Sequence, residues 1–413
     1  MTPTTRTPRQ MGEVSRDLSG CQGRVLVITN DFPPRRGGIE TFVHNLCAAL
    51  PPDRLVVYTS AAAGSVQSDA ALSYPVIRDR RAMLLPTRRV TRNARRIAQL
   101  HGCDRVVFGA AAPLGLLAPA MREMGVCRII ALTHGHEVWW AKSPLARSAL
   151  RRISEHVDAL TYVSEYCRTR IACALRQTGA SRLTRLSPGV DTQRFRPGLD
   201  GRIWRSRLGI SPEQQVVVAA GRLVARKGHD MLIRAWRDVQ LRRPDAVLVI
   251  VGEGPLRRRL QNRIAQAGLA ASVRLVRHAE WSQMPEIYAA ADVFALPCRT
   301  RRWGLEPEAF GIVFTEAAAS GLPVIVGNSG GAPETVLHGE SGYVVDPRDV
   351  TALTGRILEL LDDPGLAKAM GEHGRDHVTS QFSSDQCADH FRQLLGWPSI
   401  IRDSALRTPD VTE

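Results

Sequence analysis

From Arg24 onward one pattern governs the chain: a short apolar run, then a longer stretch of helical period, then another apolar run. Such alternation builds open parallel sheets covered by helices on both faces. In the first half the runs predict strands at Arg24–Thr29, Leu55–Thr59, Arg105–Phe108, Arg128–Leu132, Ala159–Val163 and Thr184–Leu186. In the second half they fall at Gln215–Ala220, Ala246–Val251, Val273–Val276, Val293–Leu296, Pro323–Val326 and Tyr343–Val345. The stretch between the halves, "SPGVDTQRFRPGLDGR", is rich in Gly, Pro and Asp and reads as a linker, with the boundary near Pro197. The expected organisation is a disordered tail over 1–20, an α/β domain over 21–197, a second over 198–380, and a last helix over 381–413 that packs back on the first domain before a tail. With 413 residues, each half can bury its own core. Parallel sheets of this kind bind ligands beyond the carboxyl ends of their strands, and two facing sheets would enclose a deep cleft.

Composition narrows the partners. The net charge of +15 favours anionic ones: phosphates, lipid headgroups or nucleic acid. Of the 55 basic residues all but Lys142, Lys227 and Lys368 are arginine, so a lysine is the marked choice here. Part of the basicity can be composition bias. The eight cysteines include no CxxC pair, which suggests neither a disulfide framework nor a zinc site and fits a reducing cytosol. No signal-peptide core opens the chain, and the longest apolar run, around Gly109 to Met121, is too short to span a bilayer.

Four stretches after strands carry candidate chemistry. In "NDFPPRRGGIETF" the pair Gly37-Gly38 allows a sharp turn and precedes a helix with Phe42, Val43, Leu46 and Leu50 on one face, so its first amides can meet an anion; the plain alternative is a loop. In "AAGRLVARKGHD" Arg222 and Lys227 can converge from one loop on a diphosphate, or stand as a solvated pair. In "LTHGHEVWW" His134 can meet a sugar hydroxyl or, with His136 and Glu137, form part of a metal site, although no third cluster of ligands stands elsewhere. In "EPEAFGIVFTEAAASGLPVI" Glu308 is expected on a loop and Glu316 in the first turns of a helix, where carboxylates suit the vicinal hydroxyls of a sugar and a ribose.

The order and span of these motifs resemble glycosyltransferase family 4, retaining enzymes of the GT-B fold: two Rossmann-like, doubly wound parallel-sheet domains facing across a cleft. Glu308 and Glu316 match that family's E-x7-E motif. "TNDFPPRRGGIETF", "FGAAAPLGLLAP", "THGHEVWW", "GRLVARKGHD" and the segment from Leu296 to Val336 are similar to the bacterial GDP-mannose-dependent phosphatidylinositol mannosyltransferases. The resemblance implies that Arg222 and Lys227 bind the donor diphosphate and Glu316 the ribose. It implies that Glu308 contacts the transferred sugar, that His134 stands by its anomeric region, and that the Gly37-Gly38 loop closes over phosphate and acceptor. It places main chain near Ala279 at the nucleobase, and Gly311, Ile312 and Val313 among the donor-binding positions. GDP-mannose is then the donor, with no cofactor or metal required, and a lipid is the acceptor. The bulky Arg302-Trp303 departs from the small residues expected beside the donor.

A lipid acceptor leaves its own trace. Between Ile77 and Ile97 lie Arg78, Arg80, Arg81, Arg88, Arg89, Arg92, Arg95 and Arg96 against the one acid Asp79, with Met83, Leu84 and Leu85 interposed. Trp139, Trp140, Arg147, Arg151 and Arg152 can extend this surface. It suits an anionic bilayer and a peripheral enzyme on the cytoplasmic face of the plasma membrane, or it is a solvated face produced by composition. Two rivals stand beside the transferase: a nucleotide-sugar epimerase on the same architecture, and a basic nucleic-acid-binding protein. The second lacks an RNP-like aromatic strand, a zinc finger or a clear helix-turn-helix, so no nucleic-acid partner is expected.

Overall fold

A computed structural model describes residues 23–399, apart from Arg36, His278 and the side chain of Trp303. The expected disordered tail and the last residues, 400–413, lie outside the described residues. The first sheet holds β1 (Arg24–Thr29), β2 (Leu55–Thr59), β3 (Val76–Arg78), β4 (Cys103–Phe108), β5 (Arg128–Ala131), β6 (Ala159–Tyr162) and β7 (Leu183–Arg185). The second holds β8 (Val216–Ala220), β9 (Val247–Val251), β10 (Val273–Val276), β11 (Val293–Leu296), β12 (Val324–Gly327) and β13 (Gly342–Val345). Their orders are β3-β2-β1-β4-β5-β6-β7 and β10-β9-β8-β11-β12-β13, and every pairing is parallel. These are two doubly wound Rossmann-like sheets, each reversing direction beside its first strand, at β1/β4 and at β8/β11.

The central strands are largely apolar because both faces are covered, and β8 (VVVAA) and β9 (VLVIV) are apolar and buried along their whole length. Along β1, Leu26 and Ile28 pack with Val90, Ala94 and Ile97 of the Arg88–Leu100 helix and Leu150 and Ile153 of the Pro144–His156 helix. Val25 and Val27 face the opposite way, onto Phe42, Val43 and Leu46 of the Gly38–Ala48 helix. The edge strand β3 was absent from the expected set: it is three half-buried residues at a sheet margin, too short to leave an apolar run.

The chain passes between the domains twice, side by side. Val190 of the linker pairs with Ser383 on the return: Val190 N–H donates to Phe382 O at 2.8 Å, and Ser384 N–H donates to Val190 O at 2.8 Å. The last helix, Ser384–Leu394, then lies on the first domain, where Phe391, Leu394, Leu395 and Trp397 join the core around Val25 and Val27. The buried Arg105 fixes that seat by donating from Nε to Leu395 O at 2.8 Å. Cysteines 47, 103, 167, 173, 298 and 387 are free thiols, whereas Cys127 is disulfide-bonded, which the scattered spacing did not suggest.

Candidate active site

A cavity of about 890 Å³ opens between the two domains at the carboxyl ends of both sheets. The first domain contributes Gly37, Gly38 and His134, and the second contributes Arg222, Lys227, Glu308 and Gly311–Val313. Glu316 stands one helical turn behind Ile312, at the mouth of a smaller adjoining cavity of about 290 Å³ that Ile312 also lines.

At the centre, Lys227 leaves the turn after β8 and Glu308 the loop after β11. Lys227 Nζ is 2.8 Å from Glu308 Oε2, and both side chains are nearly buried. Arg226 NH1 donates to the same oxygen at 3.0 Å. Burial alone would push the Glu308 carboxyl up; Lys227 and Arg226 outweigh it and hold its pKa below the usual glutamate value. Arg226 was missed in the sequence because it stands beside Lys227 in a chain full of arginine. Arg222 is exposed on the cavity wall and makes no ion pair among the described residues. The turn that carries it needs glycine: Gly221 has φ +149°, and a Cβ there would face the Lys227 stem.

The Ile312–Ala319 helix starts at Gly311, φ +94°, with no side chain capping its first amides, so bare N–H groups line the cavity beside Lys227. Glu316 is in the second turn of this helix. Its carboxylate accepts from Trp281 Nε1 at 3.1 Å and from Tyr288 OH at 3.1 Å. Burial pushes its pKa up to about 7, against the pull of those two donors. Trp281 is held in turn by Arg194 of the linker, whose guanidinium stacks 3.5 Å from the ring centroid and donates to Trp281 O at 3.1 Å. Ala279 packs against the core and is not among the residues that line this cavity.

On the opposite wall, His134 Nε2 is 2.6 Å from Gly109 O. A carbonyl only accepts, so Nε2 carries the proton and Nδ1 keeps its lone pair. Burial lowers the His134 pKa, which favours this neutral form. Glu137 Oε2 accepts from the backbone N–H of His134 at 3.0 Å and of Gly135 at 3.1 Å, so this corner is a capped turn. Among the described residues no three His, Cys, Asp or Glu are grouped to hold a metal. The chain bends at Gly37, which is extended at φ 171°, and Gly38 begins the helix. A Cβ on Gly37 would strike the Glu40 carboxylate, whereas one on Gly38 would meet nothing within 4 Å, so Gly38 is the open position of the pair. In the Arg301–Glu306 loop, Arg302 has φ +50° and pairs with Glu306 at 3.0 Å, which holds a bulky segment on the cavity rim.

Beyond the cleft, three of the eight clustered arginines are spent internally. Arg78 pairs with Asp69, Arg89 with Asp79, and Arg95 with Glu123. The five others, Arg80, Arg81, Arg88, Arg92 and Arg96, are exposed, with Met83 and Leu85 exposed beside them. No described helix is long and apolar enough to cross a membrane.

Comparison with known proteins agrees with this architecture. The family model "Glycosyltransferase Family 4" matches residues 36–194, and "Glycosyl transferases group 1" matches residues 200–377. The chain is 47% identical over 85% of its length, and 92% of the relative's, to a protein of Mycolicibacterium smegmatis named GDP-mannose-dependent alpha-(1-6)-phosphatidylinositol monomannoside mannosyltransferase. It is 41% identical to the Corynebacterium glutamicum protein named for the monoacylated form of that acceptor, over 90% of this chain and 97% of the relative. In fold it matches Anabaena Alr3699/HepE, solved in complex with UDP, with a TM-score of 0.76 at 20% identity over 90% of this chain and 99% of that one.

Proposed function

The chain belongs to the glycosyltransferases that join a Family 4 domain to a group 1 domain, and on that premise we propose that it is an α-mannosyltransferase. It moves mannose from GDP-mannose to a phosphatidylinositol-type lipid with retention at the anomeric carbon. The observation that carries this reading is the Lys227–Glu308 pair set in the interdomain cavity beside the bare amides at Ile312.

Each residue then has a task. Arg222, Lys227 and the first amides of the Ile312–Ala319 helix receive the donor diphosphate, and Glu316 receives the ribose hydroxyls. Glu308 turns its remaining lone pairs to the mannose, and the His134 Nδ1 lone pair takes a sugar hydroxyl. As the bond from the anomeric carbon to the diphosphate oxygen breaks, the two cations stabilise the growing charge. The acceptor oxygen bonds to the same face, and its proton passes to the departing diphosphate. Held by two cations, Glu308 is a poor nucleophile, which favours this front-side path over a covalent glycosyl-enzyme. Arg222 and Lys227 do the charge work at the diphosphate that a divalent metal would otherwise do, so none is required.

The acceptor is a lipid, and we place the enzyme at the cytoplasmic face of the membrane. Arg80, Arg81, Arg88, Arg92 and Arg96 meet anionic headgroups, and Met83 and Leu85 meet the acyl boundary. The test is a donor and acceptor screen with radiolabelled GDP-mannose and mass spectrometry of the products. A mannosylated phosphatidylinositol lipid is expected. An altered sugar released from donor alone would identify an epimerase instead.

A further inference from the structure

The two domains meet at a second place, away from the cavity, and that contact runs into the backbone of Glu308. Glu334 belongs to the turn Ala332–Thr335 that follows β12. Its two carboxylate oxygens reach across to the first domain. Oε2 accepts from Glu165 N–H at 2.8 Å and Oε1 from Tyr166 N–H at 2.9 Å. These are amides of the first turn of the Glu165–Ala172 helix, which has no intrahelical acceptor for them. A carboxylate at that end is favoured by the helix dipole as well as by the two bonds.

The same helix start holds the Glu308 loop. Ser164, its N-cap, donates from Oγ to Ala309 O at 2.7 Å. The segment that carries Glu334 holds that loop from the other side: Gly331 N–H donates to Glu308 O at 2.8 Å, and Ser329 Oγ accepts from Glu308 N–H at 3.2 Å. Close approach leaves no room for side chains here. A Cβ on Gly331 would strike Ser164 and Ala309 O, one on Gly330 would strike Glu308 O, and one on Gly135 of the first domain would strike the Ala309 side chain. The Glu308–Ala309 backbone is therefore held from both sides, by Ser164 of the first domain and by Ser329 and Gly331 of the second, and Glu334 is the charged bond that ties the two holds together.

We propose that Glu334 is a positioning residue for sugar transfer: by capping the Glu165–Ala172 helix from the opposite domain, it couples domain closure to the placement of Glu308. The proposal rests on the reading of Glu308 as the group that meets the transferred sugar. Its test therefore includes a measurement that needs no transfer at all.

Glu334→Ala and Glu334→Gln would be compared with the unaltered full-length protein by amide hydrogen exchange, GDP affinity and mannosyl transfer. In Glu334→Ala, exchange at Glu165, Tyr166 and the Glu308–Ala309 segment accelerates, GDP affinity changes by less than about threefold, and kcat falls roughly ten- to a hundredfold, as expected for a misplaced reacting group. Glutamine can accept only one of the two amides, and its variant falls between. Unchanged exchange at these amides overturns the latch whatever the enzyme's substrate proves to be. Faster exchange with kcat retained, or a loss confined to donor affinity, overturns the positioning role.

Discussion

Lys227 Nζ and Glu308 Oε2 lie 2.8 Å apart, although 80 residues of chain separate them, because the strands they follow, β8 and β11, are neighbours in the sheet. The pair keeps a nearly buried carboxylate and a nearly buried ammonium neutral as a unit, and it sets both beside the amides that would hold a diphosphate. Replacing either partner strands the other charge in the cavity wall. Lys227→Ala and Glu308→Ala are each expected to lower kcat by about a hundredfold or more, the scale of a lost electrostatic contact to the transition state. Steady-state transfer rates check this, and near-native turnover in either variant would refute the assignment.

Glu316 gives the site a pH dependence. Its pKa, about 7, means that acidification below neutrality protonates the group proposed to accept the ribose hydroxyls. The donor KM is expected to rise as pH falls through 7, and Glu316→Gln should flatten that rise. Stability runs in the other direction. A carboxyl whose folded pKa lies above its ordinary 4.5 disfavours ionisation in the fold, so its contribution falls as pH rises from about 4.5 to about 7. The melting temperature of Glu316→Gln relative to the unaltered protein should climb across that window.

Trp281 is tied both to Glu316 and, through Arg194, to the interdomain linker. A ribose arriving at Glu316 competes for the oxygen that Trp281 holds. GDP is expected to change the intrinsic fluorescence of the protein, and Trp281→Phe should remove most of that change. An equal response in the variant would separate Trp281 from the nucleotide site.

The arginines of the membrane face divide by their partners. Reversing Arg88, Arg92 and Arg96 to glutamate should abolish sedimentation with anionic vesicles at low salt, since each cation near the surface contributes about 1 kcal/mol. Arg89→Ala should act on the fold instead. Its guanidinium is the main cause that holds Asp79 below the usual carboxylate range, and the Asp79 side chain is almost fully buried. A lower denaturant midpoint is expected, limited by Tyr58 OH and Arg81 N–H, which still donate to Asp79.

Much of this was legible in the chain because doubly covered parallel strands are mostly apolar, and twelve of the thirteen lie within two residues, at both ends, of the runs that announce them. The half-buried β3 escaped, since "VIR" has no pattern long enough to read. The site residues were legible by type and by their place after strands. Their partners were not. Arg226 on Glu308, Tyr288 and Trp281 on Glu316, and Glu334 on the Glu165 and Tyr166 amides are contacts made across 28 to 169 residues of sequence. The basic cluster looked uniform in sequence, and only folding shows that Arg78, Arg89 and Arg95 answer acids on neighbouring elements.

In the proposed complex one pyrophosphate is surrounded by Arg222 and Lys227 from the second domain and by the Gly37-Gly38 segment from the first. A crystal structure of the protein with bound GDP-mannose tests this arrangement most directly. The diphosphate is expected within hydrogen-bond distance of Arg222, Lys227 and the first amides of the Ile312–Ala319 helix, with the Gly37-Gly38 segment facing it and the mannose against Glu308. Nucleotide bound elsewhere, with Lys227 still closed on Glu308 and Arg222 turned to solvent, would contradict it.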